Sequence, residues 1–154
     1  MIRIVIDSTS SLTPDEYKKY DIDIAPLYIV EGTNSKKELV EITYAEFYQQ
    51  LRNGSRFTTS QPTPDDFLKI FQPAVAAGDE VICIVLSSQI SGTLNSATLA
   101  KSTMDTDRIS LIDSRHSAGG EAFLAIKACE LAQAGKSRAE IVSELEGMVE
   151  RIRT

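Results

Sequence analysis

The sequence predicts an α/β domain built on an open, mainly parallel sheet with helices on both faces. Three of the four strand-like runs are almost continuously apolar, which is typical of strands buried on both faces of a parallel sheet. Helix-start signals separate these runs, so strands and helices alternate along the chain. The 154 residues suffice for one domain with a substantial core, and 42% of them are hydrophobic.

Four segments are predicted as strands, namely residues 3–7, 24–30, 80–87 and 108–113. Residues 31–38, which follow the second of them, are polar and rich in turn formers. This composition predicts a surface loop.

Four helices are predicted from capping signals, in which a Ser or Thr precedes a first turn with an acid at its third position. The four N-cap residues are Thr13, Thr43, Thr63 and Ser137. Two further helices are predicted at residues 94–102 and at about residues 119–134, and the second is apolar nearly all round, which predicts deep burial. Gly135 is expected just beyond its end, where glycines are common. The last helix carries an apolar stripe at helical spacing and a charged opposite face.

The composition argues against several classes of protein. The formal net charge is −6 and there is no basic cluster, so no nucleic-acid partner is expected. No stretch approaches the roughly 20 apolar residues of a membrane helix, and the N-terminus runs directly into a predicted strand without a secretory leader. A cytoplasmic location is therefore expected. Cys83 and Cys129 stand in apolar runs and are interpreted as small buried hydrophobes.

Hydroxyl side chains follow three of the four predicted strands, at residues 8–11, 87–93 and 113–117. The connection at residues 58–63 (Thr-Thr-Ser-Gln-Pro-Thr) adds another run of hydroxyls before a helix. Ligands of open α/β sheets bind outside the carboxyl ends of the strands, so we expect these groups to border a shared site.

The segment Ser91-Gly92-Thr93 opens a predicted helix. Free N–H groups and the helix dipole favour an anion at such a position, and a glycine lets a ligand approach the backbone closely. Neutral donors of this kind suit a carboxylate or a phosphate. Helix capping or turn formation is the alternative role of each serine and threonine taken singly.

Signatures of a self-sufficient enzyme are missing from the sequence, which has no Gly-x-Ser-x-Gly elbow, no Walker A run and no dinucleotide-binding glycine motif. His116, the single histidine, follows a strand end near Asp113. A general-base role is conceivable there, but a loop position at a rim or surface is favoured. One enzyme hypothesis stays open, a phosphotransferase or acyl-transfer activity with Ser91 as nucleophile or phosphate clamp, although no activating base stands beside it in the sequence.

Four blocks of the sequence resemble the DegV family in their order and separation. They are residues 5–12 (VIDSTSSL), 58–63 (TTSQPT), 87–97 (SSQISGTLNSA) and 113–121 (DSRHSAGGE). The resemblance covers essentially the whole chain, and the Thr-Ser-Gln-Pro and Ser-Gly-Thr blocks are specific in combination. It implies a bacterial protein in which residues 1–154 form one α/β domain of the DegV N-terminal type.

The resemblance implies a carrier that binds a long-chain fatty acid, uses no cofactor or metal and is not itself an enzyme. Family members enclose the acyl chain in an apolar tunnel and hydrogen-bond its carboxylate, which some present to a partner fatty acid kinase. Membrane contact would be transient. Carried over by motif, the carboxylate contacts fall on Thr59 and Ser91, with Ser60, Gly92 and Thr93 as their neighbours.

The sequence departs from the family pattern in two respects. Ala118 stands where a serine often precedes the glycine pair, and Ala122 stands where a later glycine is usual. Family members also have a second domain that closes the tunnel, so residues 1–154 are expected to be the N-terminal half of such a protein. Because an open tunnel buries only part of the acyl chain, we expect weak binding by this half alone. A structural interaction domain is a third hypothesis, and no motif specifies the acyl chain.

Overall fold

The computed structural model describes residues 1–153 and has a four-stranded parallel sheet at its centre. Within these residues the strands are β1 (Ile2–Asp7), β2 (Ile22–Ala25), β3 (Tyr28–Glu31), β4 (Asn34–Lys37), β5 (Thr58–Ser60), β6 (Glu80–Val85) and β7 (Ile109–Asp113). The helices are α1 (Pro14–Tyr20), α2 (Tyr44–Arg52), α3 (Pro64–Ala76), α4 (Thr93–Ser102), α5 (Gly119–Gln133) and α6 (Arg138–Val149). A 3-10 turn, Ser8–Ser10, follows β1.

The parallel sheet has the strand order β2–β1–β6–β7. The chain moves outward from β1 to β2 and then crosses to the other side of β1, so the winding direction reverses between β1 and β6. Such a switch point is where open α/β sheets bind their ligands, because the loops on either side diverge and leave a crevice. The predicted fold class is confirmed.

Alternate residues of the central strands enter two cores, one on each face of the parallel sheet. Ile4 and Ile6 pack with side chains of α1, α5 and α6. Val5 and Cys83 face the other way and pack with α3 and α4. Helices therefore cover both faces, and the predicted burial of Cys83 and Cys129 is confirmed.

The four predicted capping signals are confirmed at α1, α2, α3 and α6. In each, the N-cap hydroxyl accepts a hydrogen bond from the backbone N–H of the third helical residue, whose carboxylate accepts one from the N-cap N–H. A capping residue of this kind stabilises a helix by about 1 kcal/mol. Gly135 follows α5 with φ +81°, as predicted for a residue just past a helix end.

Two of the predictions are wrong, and both concern residues that form a second sheet. Residues 24–30 are not one strand but two, β2 and β3, because Pro26 lacks the N–H needed to continue the ladder of the parallel sheet. Residues 31–38 are not a loop but contain most of a β-hairpin, in which Gly32 has φ +60° in the two-residue turn between β3 and β4. With β5, these strands form an antiparallel sheet of order β4–β3–β5.

Candidate functional site

A cavity of about 860 Å³ opens at the switch point between β1 and β6. Its volume falls in the range of about 300–1,000 Å³ that is typical of small-molecule sites. The residues that line it follow β1 and β6 in the parallel sheet, belong to the antiparallel sheet and its flanks, or lie on α2. They are Ser8, Thr9, Ser11, Leu27, Ile29, Glu38, Tyr44, Tyr48, Thr59, Ser60, Gln61, Leu86, Ile90, Ser91 and Gly92.

The structure brings four of the five predicted head-group residues to this cavity. Thr59 and Ser60 reach it from β5, and Ser91 and Gly92 from the loop that precedes α4. Thr93 is fully buried and does not line the cavity. Its N–H donates to Ser91 Oγ at 3.2 Å, and the two hydroxyls are 2.9 Å apart. Thr93 therefore orients Ser91 from behind.

Gln61 joins the two predicted motifs physically. Its Nε2 donates to Ser96 Oγ on α4 at 2.9 Å, and its amide lies against the Cα of Gly92. A Cβ at position 92 would lie 2.8 Å from Gln61 Cδ and nearer still to Gln61 Oε1. The glycine thus makes room for a side chain of the other motif, and this packing connects the segment of Thr59 to the segment of Ser91.

Two hydroxyl side chains that follow β1, those of Ser8 and Thr9, are hydrogen-bonded to carboxyl groups of the protein. Ser8 Oγ donates to Glu38 Oε2 at 2.6 Å and accepts from the Leu27 N–H at 3.0 Å. Burial raises the pKa of Glu38, the Ser8 bond opposes that rise, and the negative charge of Asp7 adds to it. Thr9 Oγ1 lies 2.7 Å from Asp7 Oδ1. Carboxyl groups therefore border the cavity at Ser8 and Thr9, and the Ser11 hydroxyl lines it beside them.

Apolar side chains complete the lining. Leu27, Ile29 and Leu86 are buried beneath the cavity, whereas Ile90 at its rim is 68% exposed. α2 contributes the ring of Tyr44 and, one turn later, the ring of Tyr48, and this helix has no buried residue. The cavity therefore combines neutral hydroxyl donors with an apolar wall that is partly open to solvent.

One buried carboxylate ties the antiparallel sheet to α3. Asp66, which is 4% exposed, accepts hydrogen bonds from Lys37 Nζ (2.7 Å), the Tyr28 hydroxyl (2.8 Å) and the Thr63 N–H (2.9 Å) and hydroxyl (2.7 Å). Burial acts to raise the pKa of Asp66, but the bonds from Lys37, Thr63 and Tyr28 outweigh it and hold that pKa below its usual 3.8. Because Tyr28 pairs with Ser60 on β5, this network also fixes the strand that carries Thr59.

The residues that follow β7 lie outside the cavity. Asp113 accepts hydrogen bonds from the backbone N–H groups of Ser88 (3.2 Å) and Arg115 (2.9 Å). His116 has its Nε2 3.2 Å from the carbonyl oxygen of Val149 on α6, so its ring is directed to that helix and not to Ser91. Of the hydroxyl runs predicted to border one site, the structure assembles those at residues 8–11, 58–63 and 87–93 and separates the one at 113–117.

Several residues that line the cavity could not be predicted from the sequence. Glu38 belongs to a polar stretch that composition alone marks as exposed, and Ile29 is one apolar residue in a short strand. Tyr44 and Tyr48 are the exception, since two rings four residues apart share one face of a helix that the capping signal locates.

Neither a metal site nor a membrane span emerges from the described part of the chain. In residues 1–153 no three His, Cys, Asp or Glu side chains are placed to hold a metal ion. No helix among the same residues combines the length and the apolar character needed to cross a bilayer.

Comparison with known proteins identifies relatives over the full length of the sequence. The family model for uncharacterised proteins of the DegV family matches residues 1–154. A DegV domain-containing protein from Caldanaerobacter subterraneus is 41% identical over 152 residues, which are 99% of this chain and 54% of that relative. The chain thus spans about half the length of the curated relatives it matches.

Solved structures of such relatives share the fold. DegV, a fatty acid binding protein from Bacillus subtilis, is 33% identical with a TM-score of 0.88, over 97% of this chain and 54% of that one. A stearic acid-binding protein from Eubacterium ventriosum is 29% identical with a TM-score of 0.89, over 95% of this chain and 52% of that one. Since the family model matches every residue of the sequence, the chain belongs to the DegV family.

Proposed function

We propose that this chain forms the carboxylate-binding part of a long-chain fatty-acid site and presents that carboxylate to a separate fatty acid kinase. The observation that carries the proposal is the composition of one cavity, in which Thr59 and Ser91 stand beside an apolar lining. A ligand with a small anionic head and a long apolar tail matches both halves of that lining. The fatty acids named for the relatives from Bacillus subtilis and Eubacterium ventriosum have this chemistry.

The head-group contact would consist of neutral donors. Hydroxyl hydrogens of Thr59 and Ser91 would bind the carboxylate oxygens, with Ser60 and the backbone at Gly92 beside them. A hydrogen bond to a charged group contributes about 1.5–3 kcal/mol. The hydroxyl hydrogen of Ser8 is committed to Glu38, so we assign the carboxylate to the side formed by β5 and the loop before α4.

A carrier role fits the partners of Ser91 better than catalysis does. Its Oγ is engaged by the hydroxyl and the N–H of Thr93, and neither group is a base that would activate a nucleophile. Phosphoryl transfer would then be the work of the kinase, and the carrier itself would need no cofactor. Such a protein would act in the cytoplasm, with transient membrane contact when it collects its ligand.

Ligand retention tests the binding proposal. We expect mass spectrometry of extracts from the purified natural protein that contains this chain to detect a long-chain fatty acid. Thr59→Val and Ser91→Ala should each weaken palmitate binding by about tenfold to a hundredfold, which corresponds to the loss of one charged hydrogen bond. Ser143→Ala, an exposed serine on α6, is the matched control and should bind as the wild type does. Absence of fatty acid, or unchanged affinity in both site variants, would overturn the proposal.

Turnover separates the carrier from the enzyme hypothesis. The protein is incubated with palmitate and ATP, and any acyl phosphate is trapped with hydroxylamine. We expect no hydroxamate from this protein alone and a product only when a fatty acid kinase is added. Hydroxamate formed without the kinase, and lost in Ser91→Ala, would instead support a phosphotransferase.

A further inference from the structure

Two fully buried carboxyl groups lie below the cavity and share one hydroxyl. Asp7 ends β1, and Glu121 is in the first turn of α5; both have no exposed surface. Thr9, which lines the cavity, has its Oγ1 2.7 Å from Asp7 Oδ1 and 2.9 Å from Glu121 Oε2. A backbone hydrogen bond joins the same two segments, since the Ala118 N–H donates to the Thr9 carbonyl oxygen at 3.0 Å.

The number of hydrogens available decides how these groups are protonated. A threonine hydroxyl has one hydrogen and can donate to only one of the two carboxyl groups. Two further donors stabilise the ionised form of Asp7, because its oxygens also accept hydrogen bonds from the backbone N–H groups of Thr9 (2.9 Å) and Leu86 (2.7 Å). In contrast, Glu121 Oε1 has no hydrogen-bond partner among residues 1–153. If both acids were ionised, one carboxylate oxygen would face the Thr9 oxygen without a hydrogen between them.

Acids at the same helical position elsewhere in the chain provide an internal comparison. Glu16, Glu46 and Glu140 are third in their helices, as Glu121 is in α5. Each of those three carboxylates accepts hydrogen bonds from the hydroxyl and the backbone N–H of its N-cap residue, and these bonds lower its pKa. The N-cap of α5 is Ala118, which has no side-chain cap, and Glu121 turns instead toward Thr9.

We infer that Glu121 is a neutral acid in the folded protein and that its proton, donated to Thr9, holds the Thr9 hydroxyl against Asp7 below the cavity. The resulting chain of hydrogen bonds runs from Glu121 Oε2 to Thr9 Oγ1 and from Thr9 to Asp7 Oδ1. It is extended on the far side of Asp7 by the Leu86 N–H, so it joins α5, β1 and the end of β6 across the switch point. Glu121 is in this sense a positioning residue.

The surroundings of Glu121 favour its neutral form. Burial is the main cause that raises the pKa of Glu121 well above the usual 4.5, and the negative charge of Asp7 raises it further. The Thr9 hydroxyl and the backbone N–H of Asp7 act in the opposite direction and do not offset this rise. The other titratable groups that interact with it are Tyr17 on α1 and Cys83 on β6, and burial raises the pKa of both, which keeps them uncharged at neutral pH. Burial raises the pKa of Asp7 too, but the bonds from the Leu86 N–H and from Thr9 oppose that rise, so we assign the single negative charge of the pair to Asp7.

A consequence for binding follows, and it rests on the proposed function. A neutral Glu121 leaves Asp7 as the single negative charge of this buried pair, beneath a site that we propose for an anion. Loss of the Glu121 proton would add a second buried charge and release Thr9 from its fixed position. Binding of a carboxylate is therefore expected to weaken as the pH rises through the titration of Glu121.

Carbon-13 NMR of labelled glutamate side chains tests the protonation state directly and without any ligand. The Glu121 carboxyl resonance is assigned by its loss in Glu121→Gln. We expect it to titrate at a pH well above 4.5, whereas the resonances of Glu16, Glu46 and Glu140 titrate below 4.5. A Glu121 midpoint at or below 4.5 would refute the inference, whatever the protein binds.

Stability gives a second readout with a matched control. Between pH 4.5 and the folded-state titration of Glu121 the folded protein binds more protons than the unfolded chain, so this group makes the free energy of unfolding fall as the pH rises. The stability of Glu121→Gln relative to wild type should therefore rise with pH above 4.5, whereas that of Glu140→Gln should stay level there. Equal slopes for the two variants would count against the inference.

Palmitate affinity tests the positioning role. Glu121→Gln keeps a donor for Thr9 and should retain the ligand with no loss of affinity at high pH, whereas Glu121→Ala should bind several-fold more weakly at every pH. If Glu121→Ala does not fold, Thr9→Val replaces it, since that variant removes the acceptor. If Glu121 titrates well above pH 4.5 but the protein does not bind palmitate, the proposed function is refuted and the inference that Glu121 is a neutral acid stands.

Discussion

At position 92 the backbone has φ −80°, a conformation open to any amino acid, yet a side chain there would collide with the amide of Gln61. A larger residue would have to displace this amide, which is the far end of a flexible side chain, so the preference for glycine comes from a residue 31 positions earlier in the sequence and not from the turn in which it stands. Both residues line the proposed head-group site, and displacement of the amide would break its hydrogen bond to Ser96.

We predict that Gly92→Ala destabilises the protein by about 0.5–1.5 kcal/mol, because the displaced Gln61 amide loses its hydrogen bond to Ser96, and that it weakens palmitate binding. Gln61→Ala removes the obstructing amide, so the double variant should lose less than the sum of the two single changes, a coupling that urea unfolding measures. Gly147→Ala is the control, because a Cβ there has open space within a helix and should stabilise by about 0.5–1 kcal/mol. The prediction fails if Gly92→Ala and Gly147→Ala behave alike.

For single residues, sequence motifs predict only the chemistry that depends on the neighbouring positions. The hydroxyl runs that contain Thr59 and Ser91 were predictable because each precedes a helix start, and the family resemblance singled out these two residues within them. Glu121 was not, because its contact with Thr9 spans 112 positions and its charge state depends on Asp7. Glu38 was not predictable either, because it stands in a polar segment whose composition is that of a surface loop.

Among the elements, one acid at the start of α3 binds two strands of the antiparallel sheet. Asp66 receives hydrogen bonds from Tyr28 on β3, Lys37 on β4 and Thr63 at the helix N-terminus. β5, with Thr59, is held through its pairing with β3. The position of half of the proposed head-group site therefore depends on a residue that does not line it.

We predict that Asp66→Asn destabilises the protein at pH 7 by about 1–3 kcal/mol, because an amide cannot accept all the bonds of the carboxylate. The pKa of Asp66 is lowered in the folded state, so its stabilisation is present above its unfolded pKa of about 3.8 and is lost as the pH falls below that value. Urea unfolding should show the deficit of the variant shrinking below pH 4. Asp65→Asn, at an exposed neighbour paired with Lys69, is the control and should change little. A deficit independent of pH would contradict the assignment.

Long apolar strands were predictable and short polar ones were not. β1 and β6 are buried on both faces, and the resulting apolar runs are visible without any structure. β4 and β5 are edge strands of a small sheet, exposed along most of their length, and edges of this kind favour polar and charged residues that discourage pairing with other chains. Their composition is therefore that of a loop, and Pro26 is the one local sign that the chain leaves the parallel sheet.

For the whole molecule, the open cavity sets an expectation about affinity. Each methylene that stays in water forfeits about 0.8 kcal/mol, which is about a fourfold loss of affinity. We predict that residues 1–154 alone bind palmitate more weakly than the longest natural protein that contains them. In a calorimetric series from octanoate to palmitate, the affinity of the 154-residue chain should stop rising before palmitate is reached. A steady fourfold gain per methylene up to palmitate would show that this chain encloses the tail by itself.

The placement of the antiparallel sheet within the chain separates scaffold from recognition. Residues 26–63, between β2 and α3, contain β3, β4, α2 and β5 as one uninterrupted insertion into an ordinary winding of strands and helices. Glu38, Tyr44, Tyr48 and Thr59 all lie in it, whereas Ser91 belongs to the wound scaffold. One wall of the site is thus a separate small sheet, which is anchored to the rest of the protein by Leu39 on the core and by Tyr28 and Lys37 on Asp66, whereas the opposite wall belongs to the parallel-sheet scaffold. A change of ligand would then require substitutions at the positions of this insertion that face the cavity, such as Tyr44 and Tyr48, while its anchoring contacts are kept.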